Sequence, residues 1–96
     1  MGNIRFAWDR RKAQSTLVKH GVSFEEAQSV FLDEYACLMD DPDHPATEVR
    51  FLLLSYSLQA QCLIVSHCYR EADSLIRIIS AGRATTREKR MYWSFR

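Results

Sequence analysis

The chain has 96 residues, enough for one hydrophobic core and too few for two, so residues 1–96 are expected to form a single domain. With 47% apolar, 11% aromatic and 26% charged residues but only three Gly and two Pro, the composition excludes a disordered tail, a collagen-like repeat and a low-complexity linker. The net charge of +1 conceals a split: residues 1–48 hold five Lys/Arg and nine Asp/Glu (net −4), whereas residues 49–96 hold eight and three (net +5). No run approaches the roughly 18 apolar residues of a membrane span, and the first residues lack the apolar stretch of a signal peptide, which predicts a cytoplasmic protein without a membrane partner.

Arg5 to Trp8 reads as a short strand. Asp9 then offers its carboxylate as the N-cap of a helix over residues 10–20, and Gly21 stands where a left-handed residue closes a helix. Arg10, Arg11 and Lys12 in the first turn oppose the helix dipole, so a phosphate or an acidic partner would explain them better than helix stability does. Ser23 and Glu26 have the spacing of a capping box for a second helix, with Val22 and Ala27 as a weak staple, and Phe24, Ala27, Val30 and Phe31 mark its buried face. Tyr35 to Met39 reads as a weak strand leading into an acidic loop at residues 40–45. Residues 33–48 as a whole carry six carboxylates and no Lys or Arg. Three β-type runs follow, at 49–58, 62–70 and 75–80, joined by polar turns of three to four residues that are too short for parallel crossovers. Thr85 and Glu88 repeat the capping box at the head of a third helix running to the chain end, with Glu88, Met91, Tyr92 and Phe95 on one face and Arg87 and Arg90 on another. The order β-α-α-β-β-β-β-α predicts an α+β domain: a four- to five-stranded, mainly antiparallel sheet with two N-terminal helices and one C-terminal helix.

Chemistry concentrates in the arginines. Strand alternation sets Ile76, Ile78 and Ser80 on one side and Leu75, Arg77 and Ile79 on the other, so Arg77 lies mid-strand among apolar neighbours. It either pairs internally, with Glu71 or Glu88, or projects onto a ligand face. Arg70 closes the preceding strand and Arg83 follows the last, so the three gather near the ends of adjacent strands. Planar guanidinium groups bind phosphate in a forked geometry and neutralise a pentacoordinate transition state, although an ion-pair network at a sheet edge has the same signature. Basic residues 83–96, interleaved with Tyr92, Trp93 and Phe95, fit either a nucleic-acid footprint or a solvated helix face. His20, His44 and His67 have no metal-type spacing to one another or to Cys37, Cys62 and Cys68, so no metal or other cofactor is expected. The cysteines read as reduced, buried thiols. No Gly-rich phosphate loop, Gly-x-Ser-x-Gly elbow or His-Glu-x-x-His motif occurs.

Taken together, the blocks Phe6 to Asp9 with Lys12, Lys19 to Ala27 (Lys-His-Gly-Val-Ser-Phe-Glu-Glu-Ala) with Val30 and Phe31, Asp40 to His44, Arg50-Phe51, His67 to Arg70, and Arg77 to Ala81 (Arg-Ile-Ile-Ser-Ala) with Ala84, Thr85 and Glu88 resemble the BrnT family of bacterial type II toxins. The resemblance covers nearly the whole chain. It implies a RelE-like fold, metal-independent RNA cleavage that inhibits translation and growth, and a BrnA-type antitoxin. It further implies a heterotetramer of two toxins and two antitoxins, in contact with DNA only through the antitoxin. The family usually has a basic pair after Ser-Ala, where this chain has Gly82-Arg83, so one cation is missing.

The reaction so implied is transesterification, in which the ribose 2′-hydroxyl attacks the adjacent phosphate. It needs a base, an oxyanion stabiliser and an acid. Arg70, Arg77 and Arg83 are the expected stabilisers, and His67, Glu71 and Tyr92 the candidates for proton transfer. His67 alone has an ordinary pKa near working pH, but its strand parity is opposite to Arg70, and a core histidine fits equally well. Lys12, Lys19, Arg87 and Arg90 are the candidates for holding the RNA backbone. The alternative is a toxin-like module that binds antitoxin or nucleic acid without cutting, marked by arginines locked to carboxylates such as Glu71, Asp73 or Glu88.

Overall fold

The computed structural model describes residues 3–95. β1 (Arg5–Trp8) leads directly into α1 (Arg10–His20). Asp9 caps α1 through Oδ1, which accepts the amides of Arg11 and Lys12 at 2.8 and 3.2 Å, and Gly21 closes it at φ 68°. That angle is one that only glycine adopts without cost. α2 (Phe24–Ser29) is a short helix continued by a 3-10 turn, Val30–Leu32. Its cap differs from the expected box. Ser23 Oγ accepts the Glu26 amide at 2.9 Å, but the buried Glu26 carboxylate accepts the Ser57 hydroxyl at 2.7 Å instead of turning back to Ser23. A long-range bond to the sheet has replaced a local one.

Four more strands follow: β2 (Cys37–Asp40), β3 (Phe51–Tyr56), β4 (Cys62–Arg70) and β5 (Leu75–Arg83). The sheet order is β1-β5-β4-β3-β2, antiparallel throughout except for β1, which pairs parallel with β5. The fold is therefore α+β with a mainly antiparallel five-stranded sheet, as the element order predicts. The turn between β4 and β5 holds Glu71, Ala72 and Asp73 at φ 50°, 54° and 69°, a left-handed stretch built without glycine.

The sheet has two covered faces. On one, Leu53, Leu63, Val65, Ile78 and Ala81 pack with Val22, Phe24, Ala27 and Val30 around α2. On the other, Leu54, Cys62 and Ala84 pack against Tyr92 of α3 (Thr86–Ser94), whose capping box between Thr85 and Glu88 is fully formed. Glu88 and Met91 on that face are half-buried, whereas Phe95 beyond it is exposed. Arg96 lies outside the described residues.

One irregularity changes the expected alternation. Ser80 pairs with Ser66 but Ile78 pairs with His67, so Ile79 is an extra, unpaired residue in β5. Past this bulge the faces exchange. Ile78 and Ala81 both enter the helix-side core, while Ser80 shares the opposite face with Arg77, not with Ile78. All three cysteines are free thiols; Cys62 and Cys68 are buried and Cys37 is half-buried. Among the described residues no helix is long and apolar enough to cross a membrane.

Candidate active site

Residues directly opposite in an antiparallel pair point to the same face. Cys68 faces Arg77 and Arg70 faces Leu75, so Arg70 and Arg77 are diagonal neighbours on the face that α3 covers only at its other end. Arg50, just before β3, and Lys12, in the first turn of α1, reach the same place. Together with Asp9 and Glu48 these four cations line a hollow of about 380 Å³. Arg70 and Arg77 thus converge as the sequence suggests, joined by Lys12.

Glu48 is the acidic centre of this hollow. Its Oε1 accepts a hydrogen bond from Arg50 Nε at 2.6 Å and its Oε2 accepts one from Arg70. The bond from Arg50 and the charges of Arg50 and Arg70 outweigh desolvation and hold its carboxyl below the ordinary range. Asp9 is likewise depressed, first by the amides of Lys12 and Arg11 at the helix start and also by the nearby Arg77 charge. Among the described residues neither Arg77 nor Arg83 forms an ion pair within 4 Å, so Arg77 does not use Glu71 or Glu88. Its side chain lines the hollow.

Arg83 lies elsewhere. It lines a second hollow of about 430 Å³ between α1 and α3, with Lys12, Lys19, His20, Gly82 and Glu88 among the lining residues. Lys12 lines both hollows, so the cations form two groups sharing one member rather than a single cluster of Arg70, Arg77 and Arg83. A Cβ built on Gly82 meets nothing within 4 Å, so the position of the missing cation is open space.

The proton-transfer candidates lie outside both hollows. His67 is 0% exposed on the helix-side face, ringed by Phe31, Phe51 and Tyr69, with Nδ1 at 3.2 Å from the Val65 carbonyl and Nε2 at 3.2 Å from the Tyr69 hydroxyl. Glu71 is exposed in the β4–β5 turn and pairs with Arg5 at 2.9 Å. Tyr92 is buried, and its hydroxyl donates to Asp33 at 2.6 Å, which ties α3 to the sheet. Arg87 and Arg90 are exposed on α3 and line neither hollow.

The burial of His67 makes stability depend on pH. Desolvation lowers its pKa below the ordinary 6.5, against a smaller upward pull from the Val65 carbonyl. The unfolded chain therefore binds the proton first, and stability declines as pH falls below about 6.5 until the lowered folded value is passed, with a slope of at most about 1.4 kcal/mol per pH unit. Urea titrations across pH 5 to 8 are expected to show this decline in the wild type and a smaller one in His67→Phe.

Three residues of the first hollow escaped the sequence argument as site members: Asp9, Glu48 and Arg50. Asp9 presents itself in sequence as a cap and Glu48 as one more carboxylate of an acidic run. Arg50 carried one available signal, its place in a block shared with the BrnT family. Among the described residues no three His, Cys, Asp or Glu side chains are grouped to hold a metal ion.

No curated protein sequence matches the chain significantly. A crystal structure of the Brucella abortus ribonuclease toxin BrnT is similar in fold, with a TM-score of 0.66 at 17% sequence identity, covering 88% of this chain and 100% of the other. The family described as "Ribonuclease toxin, BrnT, of type II toxin-antitoxin system" matches residues 8–88, from the last residue of β1 through both hollows to the cap of α3. The match takes in most of the chain, which therefore belongs to the BrnT family of ribonuclease toxins.

Proposed function

We propose that this protein is an endoribonuclease that works without a metal ion, cutting RNA by attack of the ribose 2′-hydroxyl on the adjacent phosphate. The products are a 2′,3′-cyclic phosphate and a 5′-hydroxyl. The observation that carries this reading is the convergence of Lys12, Arg50, Arg70 and Arg77 on one open hollow. Arg77 and the free donors of Arg70 and Arg50 bind the scissile phosphate and stabilise the charge that develops on it, the task a metal ion would otherwise perform. Their pKa values, above about 12, make them poor proton carriers. Lys12, Lys19 and Arg83 in the second hollow hold a neighbouring phosphate, and Arg87 and Arg90 extend the basic surface along α3.

As a member of its family the protein acts in the cytoplasm, where RNA cleavage slows translation and growth. A BrnA-type antitoxin neutralises it, in a complex of two toxins and two antitoxins that meets DNA only through the antitoxin. A non-cleaving binding module is the second reading, and the pairing of Arg70 with Glu48 is what favours it. Incubation with a defined RNA in EDTA separates the two: cleavage to cyclic phosphate ends supports the enzyme, and intact RNA with a folded protein overturns it. Because position 82 is open, Gly82→Arg adds a phosphate contact without a clash. Its RNA affinity is expected to rise and the log–log salt slope to steepen by about 0.7–0.9, read by anisotropy titrations on a 2′-deoxy oligonucleotide.

A further inference from the structure

We propose that Glu48 is the general base of this reaction, the group that accepts the proton of the attacking 2′-hydroxyl; the inference rests on the ribonuclease reading above. Cleavage by a 2′-hydroxyl needs a proton acceptor within hydrogen-bond reach of the ribose next to the bound phosphate. His67, Glu71 and Tyr92 all lie outside the hollow that gathers Arg50, Arg70 and Arg77. Two carboxylates line it, Asp9 and Glu48. Asp9 Oδ1 already accepts two amides at the start of α1, so its orientation is fixed by the helix. Glu48 stands between Arg50 and Arg70, bonded to both, so a phosphate held by these arginines lies beside its carboxylate.

The carboxylate has capacity for a further proton donor. A carboxylate offers about four lone-pair positions. Arg50 takes one on Oε1, and Arg70 and the more distant Cys68 thiol, at 3.9 Å, take two on Oε2. One position on Oε1 is left for the 2′-hydroxyl. The flanking guanidinium groups keep Glu48 ionised at neutral pH, so it is ready to accept. They also keep donors for the phosphate, because each guanidinium has five N–H groups and spends only one on Glu48.

The 2′-oxygen gives its proton to Glu48 as the O2′–P bond forms. The P–O5′ bond breaks, and the 5′-oxygen takes a proton from water at the open mouth of the hollow. The hydroxide so formed is neutralised when Glu48 returns its proton to solvent, which leaves the carboxylate free for the next turnover.

The test compares wild type, Glu48→Gln and Glu48→Ala on a defined RNA in EDTA, alongside affinity for the same RNA carrying a 2′-deoxy residue at the cleaved position. Removal of the base is expected to lower kcat about 100-fold or more. Affinity for the deoxy analogue should be unchanged or tighter, since a negative charge leaves a phosphate site. Formate added to Glu48→Ala should restore part of the rate. A Glu48→Gln rate within about threefold of wild type overturns the assignment. So does a loss that appears wholly as weaker analogue binding, which would make Glu48 a positioning residue for the arginines. A wild-type pH profile supplies a readout independent of folding of the variants: a histidine base gives a falling limb near pH 6.5, whereas Glu48 gives none between about pH 5.5 and 7.5. Wild type that cuts no RNA overturns the ribonuclease reading itself, and the base with it. Cleavage that survives Glu48→Gln overturns the base alone.

Discussion

Arg77→Ala is expected to lower kcat for RNA cleavage about 100- to 1,000-fold, the loss associated with removing one donor that stabilises a developing oxyanion. The melting temperature should hardly move. Arg77 makes no ion pair among the described residues, so truncation leaves no carboxylate buried without a partner. Its neighbours across the strand pair and along β5, Cys68 and Ile78, remain packed. Arg77→Lys should recover little, because a single ammonium cannot give the two parallel bonds of a guanidinium fork to a phosphate. Single-turnover rates with RNA in excess of its dissociation constant isolate this effect from binding. A loss confined to KM would place Arg77 in ground-state binding only.

Asp33→Ala is expected to cost about 3–5 kcal/mol of stability, among the largest effects of any single substitution in the chain. Asp33 sits where three elements meet. Its Oδ2 accepts the Tyr92 hydroxyl at 2.6 Å, the Tyr56 amide at 2.9 Å and the Ser55 hydroxyl at 3.2 Å, while Oδ1 accepts the Tyr35 amide at 2.9 Å. Truncation leaves the buried Tyr92 hydroxyl, which fixes α3, without this acceptor. For a domain of this size the expected fall in Tm is more than about 12 °C, read by differential scanning calorimetry. Burial pushes the Asp33 pKa up, but the bonds from Tyr92 and the two amides outweigh it, and the net shift is down. The unfolded chain therefore binds the proton first as pH falls. The contribution of Asp33 is fully present above the unfolded value of about 3.9 and is lost as pH falls through the depressed folded value.

Much of the fold was legible because it rests on local signals. Asp9 and Gly21 bracket α1, and Thr85 with Glu88 caps the start of α3, through groups whose partners lie within four residues. The apolar run from Cys62 to Arg70 coincides with β4 residue for residue. The misreadings arise where a distant partner competes. Glu26 leaves its local cap because the Ser57 hydroxyl is offered from the loop after β3. The bulge at Ile79 exists to reconcile Ser66–Ser80 with His67–Ile78, and no property of Ile79 itself announces it. Alternation read straight through it puts Ser80 on the wrong face.

The candidate site was legible in part for the same reason. Arg70 and Arg77 stand out because a charge in or beside an apolar strand needs an explanation. Arg83 seemed their companion by distance along the chain, but β5 carries it to the fourth pair beyond the bulge, into the hollow of Lys19 and His20. Glu48 was hidden in an acidic run whose members have different tasks. Asp33 anchors α3, Asp41 is buried and accepts the Ser66 hydroxyl, and Glu48 bridges two arginines. Charge density along the chain does not distinguish these roles; only the pairing partners do. His67 shows the converse. Its ordinary pKa recommends it for proton transfer, and strand register then delivers it into the core among Phe31, Phe51 and Tyr69.

If one hollow, built by Arg50, Arg70 and Arg77 around Glu48, receives the scissile phosphate, its arginines respond to RNA together. Titration of the isotope-labelled protein with a short RNA carrying a 2′-deoxy residue, followed through the arginine Nε–Hε signals by NMR, is expected to give saturable shifts of the Arg50, Arg70 and Arg77 signals with one common dissociation constant, while Arg5 stays still. Shifts confined to Arg87 and Arg90 on α3, with the three hollow arginines unmoved at saturation, would contradict it.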